Sequence, residues 1–311
     1  MGKKLRQSDL DSIRKIKAIV LKSLFADDTL LENLVLKGGN ALDLGLNVST
    51  RSSLDLDLSM DKEFEADTEF HARIQRAIDD GFAREGYRVI DFNFKPVPKG
   101  IENDAELIEF WGGYSVDFKI ISNSDFERLH GNIDQIRREC ETIGSNGSTK
   151  FEIDISKHEY NKSKKLVIFD GLKVAIYTPS ALVAEKIRAI CQQMPEYGLI
   201  VKRSRRAGAR AKDFTDIYTI CNHPVFGPEV SFDSTDFHYL VRKMFGAKRV
   251  PLEWIGKIRD TFDIHLTDFP SVLATILPGV ELPSTDFGHS FEFVVEKCRL
   301  LEPLWDEQPP S

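Results

Sequence analysis

The stretch that decides the fold is "LVLKGGNALDLGLNVSTRSSLDLDLSM", residues 34–60. It begins with a short apolar run, reaches the pair Gly38-Gly39, and continues with leucines at roughly helical spacing. It ends in "SLDLDLS" (53–59), where leucines alternate strictly with polar residues. Such alternation predicts a strand whose leucines face a core and whose acids share the opposite face. The stretch therefore predicts a strand, a glycine turn, a helix and a second strand.

Two aspartates of the second strand indicate a candidate metal-binding site. Asp55 and Asp57 are two residues apart, so their carboxylates point the same way, which is unfavourable unless a divalent cation lies between them. Mg²⁺, with Mn²⁺ as an alternative, suits such a site because it takes hard oxygen ligands and typically combines carboxylates with substrate phosphates. Gly38 and Gly39 would let backbone N–H groups approach a phosphate. Taken singly, the acids also fit an exposed strand face and the glycines an ordinary turn; their conjunction favours a nucleotide site.

Composition limits the function further. The 311 residues are 41% hydrophobic and 29% charged, which is typical of a globular chain long enough for two domains. A net charge of -7 argues against a protein that coats nucleic acid over its whole surface, but permits a local basic patch. The four cysteines form no C-x-x-C pair, which favours reduced thiols. Because the sequence has neither a signal-peptide pattern nor a long apolar run, we expect a cytoplasmic protein with no membrane segment.

The patterns along the chain predict an α+β fold. Helices are expected near the N-terminus and over 68–87, and strand candidates follow at 88–97, 114–121, 150–156 and 173–178. We predict an N-terminal domain with a mixed β-sheet flanked by helices, residues 1–178, and a mainly helical domain, residues 179–305, that completes an active-site cleft. The tail, 306–311, is expected to be disordered. Several C-terminal aromatic residues are expected to pack helices together: Phe232, Phe237, Trp254, Phe262, Phe269 and Phe291.

Three motifs in this order resemble the AbiEii-type nucleotidyltransferase toxins, a branch of the DNA polymerase β-like nucleotidyltransferase superfamily. The opening motif is "KGGNALDLGL…STRSSLDLDLSM"; "EKIRAICQQ" (185–193) and "RAGARAKDFTDIY" (206–218) follow it. The resemblance covers about residues 30 to 220 and implies an α+β nucleotidyltransferase domain that uses NTP as substrate. Its order of motifs is more specific than any one of them.

The resemblance implies roles for individual residues. Asp55 and Asp57 would hold the metal, Lys186 would contact the triphosphate, and Asp213 would be the more essential acid of a segment that closes over the nucleotide. The predicted nucleotide-binding set is Gly38, Gly39, Arg51, Ser53, Lys186 and Asp216. Considered alone, Lys186 also fits a charged surface helix, and Asp213 with Asp216 fits a salt-bridged surface.

A third acid on a later strand completes the family pattern. In "KFEIDIS" (150–156) the apolar residues share one face and leave Glu152 and Asp154 on the other. Asp154 is the preferred catalytic and metal-binding residue, Glu152 is second, and Asp117 in "YSVDFKI" is third. An exposed acid on an edge strand is the alternative.

A basic run precedes Asp213. "VKRSRRAGARAK" (201–212) concentrates cations in an otherwise acidic chain, and this predicts contact with a phosphate backbone; a solvated loop is the alternative. The predicted nucleic-acid-binding residues are Lys202, Arg203, Arg205, Arg206 and Arg210. The resemblance implies tRNA as the acceptor, nucleotide addition at its 3′ end with a block of translation, and a separately encoded antitoxin, whether the role is phage defence or growth control.

Other functions fit parts of the pattern. The same site could modify a protein hydroxyl or a small molecule such as an aminoglycoside. A catalytically inactive binding module would keep the fold without needing clustered acids, and a metal-dependent nuclease would use two carboxylates without needing the glycine turn. A Mg²⁺-dependent nucleotidyltransferase that acts on RNA accounts for all three motifs.

Overall fold

The fold was analysed in a computed structural model. It describes residues 7–46, 48, 55–61, 67–143, 147–203, 208–276 and 286–306. Four predicted site residues, Arg51, Ser53, Arg205 and Arg206, and the tail residues 307–311 lie outside the described residues.

Within these ranges, seven strands form a single mixed sheet. The strands are β1 Leu34–Leu36, β2 Leu56–Met60, β3 Tyr87–Val97, β4 Gly113–Ser122, β5 Phe151–Ser156, β6 Lys164–Phe169 and β7 Leu172–Tyr177. Their order across the sheet is β3-β4-β5-β2-β1-β7-β6. β1 runs parallel to β7 and β2 runs parallel to β5, whereas the other neighbours are antiparallel. The predicted mixed sheet is confirmed.

Helices flank this sheet and dominate the second part of the chain. The α-helices are α1 Gln7–Phe25, α2 Asp28–Asn33, α3 Gly38–Asn40, α4 Asp67–Arg84, α5 Asn123–Arg128, α6 Ile133–Glu139, α7 Pro179–Cys191, α8 Tyr197–Ile200, α9 Ala211–Asn222, α10 Thr235–Ala247, α11 Phe262–Leu266, α12 Phe269–Ala274 and α13 Phe287–Cys298. A π-helical turn, Ala41–Gly45, continues α3. The structure confirms the predicted α+β class with a mainly helical C-terminal part. None of the helices in the described part of the chain combines the length and apolarity that a membrane crossing requires.

Alternating residues on β2 and β5 separate the core from the site. Leu56 and Leu58 are fully buried and Asp57 is half-buried, while on β5 the apolar residues are buried and Glu152 and Asp154 are exposed. The leucines therefore face the core and the acids face away from it, as the alternation predicts. α1 and α4 pack against each other, α4 also contacts β3, and α1 contacts β7.

The secondary structure changes at Thr178, next to the predicted domain boundary. The Thr178 hydroxyl accepts a hydrogen bond from the Ala181 N–H, and Pro179 follows as the first helical residue, so the sequence caps α7 directly after β7. Nevertheless, one continuous hydrophobic cluster runs from Ile13 to Leu304. The division into two domains stays a prediction.

Some elements differ from the expectation. The edge strand β6 and the short helices α5 and α6 were not predicted; β6 exposes Leu166 (55%) and Ile168 (70%), so it lacks the buried alternation that marks β2. The glycine pair forms the first residues of α3 and does not precede it. At the N-terminus, the Asp27 carboxylate caps α2, which follows α1 as a separate helix.

The C-terminal aromatics pack helices together, as predicted. Five of the six are buried, and Phe262 is partly buried against the same core. Phe291 of α13 lies 5.1 Å, between ring centroids, from Phe214 of α9, which joins these two helices. All four cysteines are free thiols, also as predicted.

Gly113 is where β4 approaches β5 most closely, and it offers a test of the sheet. A Cβ at Gly113 would lie 2.1 Å from the Ile155 carbonyl oxygen, so we expect Gly113→Ala to lower the free energy of unfolding by about 1–3 kcal/mol. Urea denaturation measures this change. Gly208→Ala is the control, because no atom of the described residues lies within 4 Å of its added Cβ. Equal stability of the two variants would contradict the close approach of these strands.

Candidate active site

A cleft of about 750 Å³ lies between the sheet and the helices that follow it. Its wall includes nine predicted site residues: Gly38, Gly39, Asp57, Asp154, Lys186, Lys202, Arg203, Arg210 and Asp213. Side chains from distant parts of the chain therefore meet in one cavity. Two other described site residues, Asp55 and Asp216, do not line it.

The pairing of β2 with β5 places Asp57 beside Asp154. The two strands are parallel and these residues are direct partners in the register, so both carboxylates lie on the cleft side of the sheet. Partial desolvation and the neighbouring Asp57 carboxylate raise the pKa values of Asp55 and Asp154, although both side chains keep contact with solvent. The three acids thus form one group of mutually repelling charges.

This acidic group fits a divalent cation. The described residues contain no cluster of three or more His, Cys, Asp or Glu arranged to hold a metal ion by themselves. Mg²⁺, however, is commonly bound by one or two carboxylates and completes its ligands with water and substrate phosphates. A cation would also relieve the repulsion that raises the pKa values of Asp55 and Asp154. The donor set is therefore suited to Mg²⁺ or Mn²⁺.

The glycine turn closes tightly over Asp57. Gly38 has φ +64°, and a Cβ added there would lie 2.8 Å from the Asp57 Oδ2, so only glycine fits without displacement. The Lys37 N–H donates to the Asp57 carbonyl oxygen at 3.0 Å. Asn40 donates its side-chain N–H to the Asp55 carbonyl oxygen at 2.6 Å, and buried Lys17 of α1 donates to the Asn40 Oδ1 at 2.5 Å. The turn and α1 thus fix the backbone that carries the acids.

The candidates for the third acid occupy different environments. Glu152, with half of its side chain exposed, lies 3.6 Å from the Lys150 ammonium. Asp117 is buried; although burial opposes its ionisation, hydrogen bonds from Asn93 and Lys150 lower its pKa. Asp154 is the candidate that lines the cleft and is paired with a second carboxylate. Its catalytic role stays a prediction that this placement favours.

Lys186 lies in a buried ionic network. Its ammonium donates to Asp213 at 3.0 Å and to Asp216 at 2.7 Å, and all three residues are buried. Burial opposes the ionisation of Asp213, but Arg210, which also pairs with it, and Lys186 hold its pKa far below the usual range. The alternative interpretation of Lys186, Asp213 and Asp216 as surface charges is therefore wrong. The network joins α7 to α9.

A second ionic cluster on the cleft wall was not predicted. Buried Glu159 lies 3.0 Å from Arg188, 3.6 Å from Lys37 and 3.8 Å from Lys248. Burial alone would raise the pKa of Glu159, but these three cations lower it to about 2. Burial lowers the pKa of Lys248 to about 7 despite the nearby Glu159. The cluster gathers three cations around one carboxylate and gives this wall a basic character.

The sequence held only part of the signal for this cluster. Lys37 directly precedes the glycine pair, and Arg188 belongs to the same helical motif as Lys186, so both residues could have been identified as site candidates from the sequence. Glu159 and Lys248 stand in no motif. Lys248 follows α10, and its ammonium reaches back to the carbonyl oxygens of Phe110 and Lys157. Only tertiary contacts place it in the cleft.

The basic run meets the cleft from the side of α9. Lys202, Arg203, Arg210 and Lys212 line the wall. Lys202 pairs with Asp104 at 2.7 Å. Buried His265 holds the start of α9, because its Nδ1 accepts the Arg210 N–H at 3.0 Å. Burial lowers the pKa of His265 to about 4, which suits a neutral ring that accepts a hydrogen bond.

The cleft thus combines paired carboxylates with basic residues, and comparison with known proteins shows the family of the chain. The family described as "Nucleotidyl transferase AbiEii toxin, Type IV TA system" matches residues 19–296. The chain belongs to this AbiEii family. It is thus a nucleotidyltransferase toxin of a type IV toxin-antitoxin system, and the predicted resemblance is confirmed.

Two crystal structures from Helicobacter pylori are similar to the chain. JHP933 is 14% identical with TM-score 0.45, and the match covers 96% of this chain and 94% of JHP933. A second protein, described as a "putative nucleotidyltransferase", is 14% identical with TM-score 0.46, and the match covers 96% and 97% of the two chains. A search of curated proteins gives no match.

Removing the carboxylate of Glu159 tests the second ionic cluster. We expect Glu159→Gln to lower the free energy of unfolding by about 3–5 kcal/mol, because three buried or partly buried cations would lose their shared partner. Urea denaturation at neutral pH measures the loss. Glu152→Gln is the matched control, since that side chain is half exposed and should cost less than about 0.5 kcal/mol. A loss for Glu159→Gln no larger than the control's would contradict the cluster.

The lowered pKa of His265 predicts a pH-dependent stability. Between pH 6.5, its ordinary value, and about pH 4, the unfolded chain binds a proton at this histidine and the folded chain does not. Stability therefore falls as the pH drops through this window, and His265 contributes up to about 1.4 kcal/mol per pH unit. His265→Asn keeps an acceptor for the Arg210 N–H and should make the dependence shallower in urea denaturation at several pH values. Exposed His130→Asn is the control; identical slopes for the two variants would refute the assignment.

Proposed function

We propose that this protein transfers a nucleoside monophosphate from an NTP to RNA in a Mg²⁺-dependent reaction, that the acceptor is the 3′ end of tRNA, and that the modification blocks translation. The observation that carries the proposal is the meeting of two chemistries in one cleft. Asp57 and Asp154 supply paired carboxylates, and Lys202, Arg203 and Arg210 line the same cleft. Paired carboxylates bind the metal ions that phosphoryl transfer requires, and cations bind the phosphate groups of a polyanionic acceptor.

The acids have distinct tasks in this proposal. Asp55, Asp57 and Asp154 would hold Mg²⁺, which when bound offsets the negative charge on the non-bridging phosphate oxygens. Asp154 would also accept the proton of the attacking 3′ hydroxyl, a role supported by the position of its carboxylate in the cleft beside Asp57. The hydroxyl oxygen then bonds to the α-phosphorus, the bond to pyrophosphate breaks, and the proton stays with the carboxylate until solvent removes it.

The remaining site residues bind and orient. Gly38 and Gly39 line the cleft next to Asp57, where their backbone N–H groups would approach a phosphate. Lys186 would contact the triphosphate while Asp213 and Asp216 hold its ammonium in place. Asp216 would thus act through Lys186 rather than touch the nucleotide. Arg210, paired with Asp213, adds a cation on the same side.

The basic wall favours RNA over a small acceptor. Four cations from segment 202–212 line the cleft, as contact with a phosphate backbone needs, whereas a single hydroxyl on a protein or an aminoglycoside would not need them. A type IV system pairs the toxin with a separate antitoxin, which we expect to be encoded apart from this chain.

A labelling experiment tests the activity and the third acid together. Purified protein is incubated with total tRNA, Mg²⁺ and each α-labelled NTP in turn, and we expect label on tRNA with at least one NTP. Asp57→Asn and Asp154→Asn should each reduce labelling by about 10²-fold or more. Glu152→Gln should stay near wild type. Circular dichroism checks that every variant is folded.

Each of the other possible outcomes would favour a different function or a different catalytic residue. Label on protein or on an added aminoglycoside, with tRNA unlabelled, would favour the rival acceptors. Shortened RNA would indicate a nuclease. No label with any NTP and any acceptor would contradict nucleotidyl transfer by this site, and loss of activity in Glu152→Gln but not in Asp154→Asn would exchange their roles.

A further inference from the structure

One part of the cleft wall is apolar and has no role in the proposed chemistry. Val97, Pro98, Trp111, Tyr114 and Val201 line it. These residues come from the end of β3, from the start of β4 with the loop before it, and from the start of the basic run. A pocket that combines apolar and aromatic walls with a few charged groups is the usual form of a site for a ligand with a flat apolar part.

Trp111 is the aromatic residue of this wall that stays partly exposed, whereas Tyr114 is buried. The backbone N–H of Trp111 donates to the Leu107 carbonyl oxygen at 2.8 Å. The Lys248 ammonium lies 5.4 Å from the ring centroid, and Tyr197 packs edge-on at 5.7 Å between centroids. The ring is nevertheless only half-buried, unlike Trp254, which is buried in the core. Its orientation is thus fixed in advance while part of its surface faces the cleft, so binding a ligand costs little conformational entropy.

Cations lie around this aromatic residue. Lys248 contacts its ring, and Lys202 and Arg203 line the same cleft. Lys202 also pairs with Asp104, in the loop that leads to Trp111, so the basic run and the aromatic wall are linked. An aromatic surface beside cations is how proteins hold single-stranded nucleotides, because the base stacks on the ring while the phosphate meets the positive charge.

We infer that Trp111 is the stacking surface for a nucleobase in this cleft, either the base of the NTP or the terminal base of the RNA acceptor. The inference rests on the proposed function and adds to it the subsite that holds a base. Base stacking tolerates any sequence, since every base has a flat π surface, whereas contacts by the neighbouring polar residues could select among bases.

Tryptophan fluorescence tests the inference without any measure of activity. The chain has three tryptophans, so the Trp254→Phe/Trp305→Phe variant leaves Trp111 as the reporter. Both changes keep a ring in place, and Trp305 loses no hydrogen bond, because its Nε1 has no partner among the described residues. This variant is titrated with each NTP, with a short single-stranded RNA, and with inorganic tripolyphosphate as the ligand that lacks a base. Calorimetry on the same protein measures binding independently.

We expect quenching of Trp111 by at least one ligand that carries a base, and none by tripolyphosphate. Quenching by NTP assigns the surface to the donor base, and quenching by RNA assigns it to the acceptor base. In the otherwise wild-type chain, Trp111→Ala should weaken binding of that ligand about 10- to 100-fold, and Trp111→Phe should retain most of the affinity. Urea denaturation checks that both variants are folded.

Two results would contradict the stacking role of Trp111 without contradicting the proposed function. In the first, calorimetry detects binding of NTP and RNA but Trp111 fluorescence is not quenched. In the second, Trp111→Ala leaves the affinity for NTP and RNA unchanged. Absence of binding of every NTP and of RNA would overturn the stacking surface together with the proposed function. If Trp111→Ala protein still labels tRNA and binds NTP and RNA with wild-type affinity, the proposed function would be supported and the stacking role of Trp111 would be contradicted.

Discussion

The pairing of β2 with β5 in parallel register is the constraint on which the site depends. It sets Asp57 directly beside Asp154, two like charges that the fold must hold together against their repulsion. The sheet can do so because the leucines and isoleucines of the same strands are buried on its other face and fix the register; a slip of one residue would turn the acids into the core. The tight turn at Gly38 then closes over Asp57. Hydrophobic burial thus maintains an electrostatically unfavourable arrangement, and the proposed function would use it to bind a cation and a polyphosphate.

Two buried ionic networks connect this sheet to the helices. Lys186 joins α7 to α9 through Asp213 and Asp216, and Glu159 draws together cations from three separate parts of the chain. Buried ion pairs contribute little net stability compared with apolar packing, but removing one partner is costly, so they hold the helices in one arrangement relative to the sheet. The continuous hydrophobic cluster acts in the same direction. The cleft is consequently part of the folded core rather than a gap between loosely joined parts.

The sequence predicted the fold class and much of the site because those features follow from local rules. Strict alternation in "LDLDLS" and "FEIDIS" located β2 and β5 and the faces of Asp57 and Asp154. The edge strand β6 was not predicted, because its exposed Ile168 breaks the pattern of a half-buried strand. The helices α5 and α6 were not predicted either, because six or seven residues are too few to show a helical periodicity. The burial of the Lys186 network was also not predicted, because charged residues at helical spacing give the same sequence pattern on a protein surface and in its interior. Glu159, Lys248 and Trp111 depend on contacts between residues that are at least 29 positions apart in the chain, and no local pattern carries that information.

Lys248 and His265 stand late in the chain, yet they complete a cleft whose acids occur within the first half of it. During synthesis, a ribosome that has made the sheet and both acidic strands has not yet supplied Lys248 for the cleft wall, His265 for the start of α9, or α13, whose Phe291 packs on Phe214. A nascent chain that ends before these residues therefore lacks a finished cleft. The acidic strands of a shorter nascent chain are thus present before the residues that enclose them, and the cleft of this nucleotidyltransferase toxin is complete only after most of the chain has been synthesised.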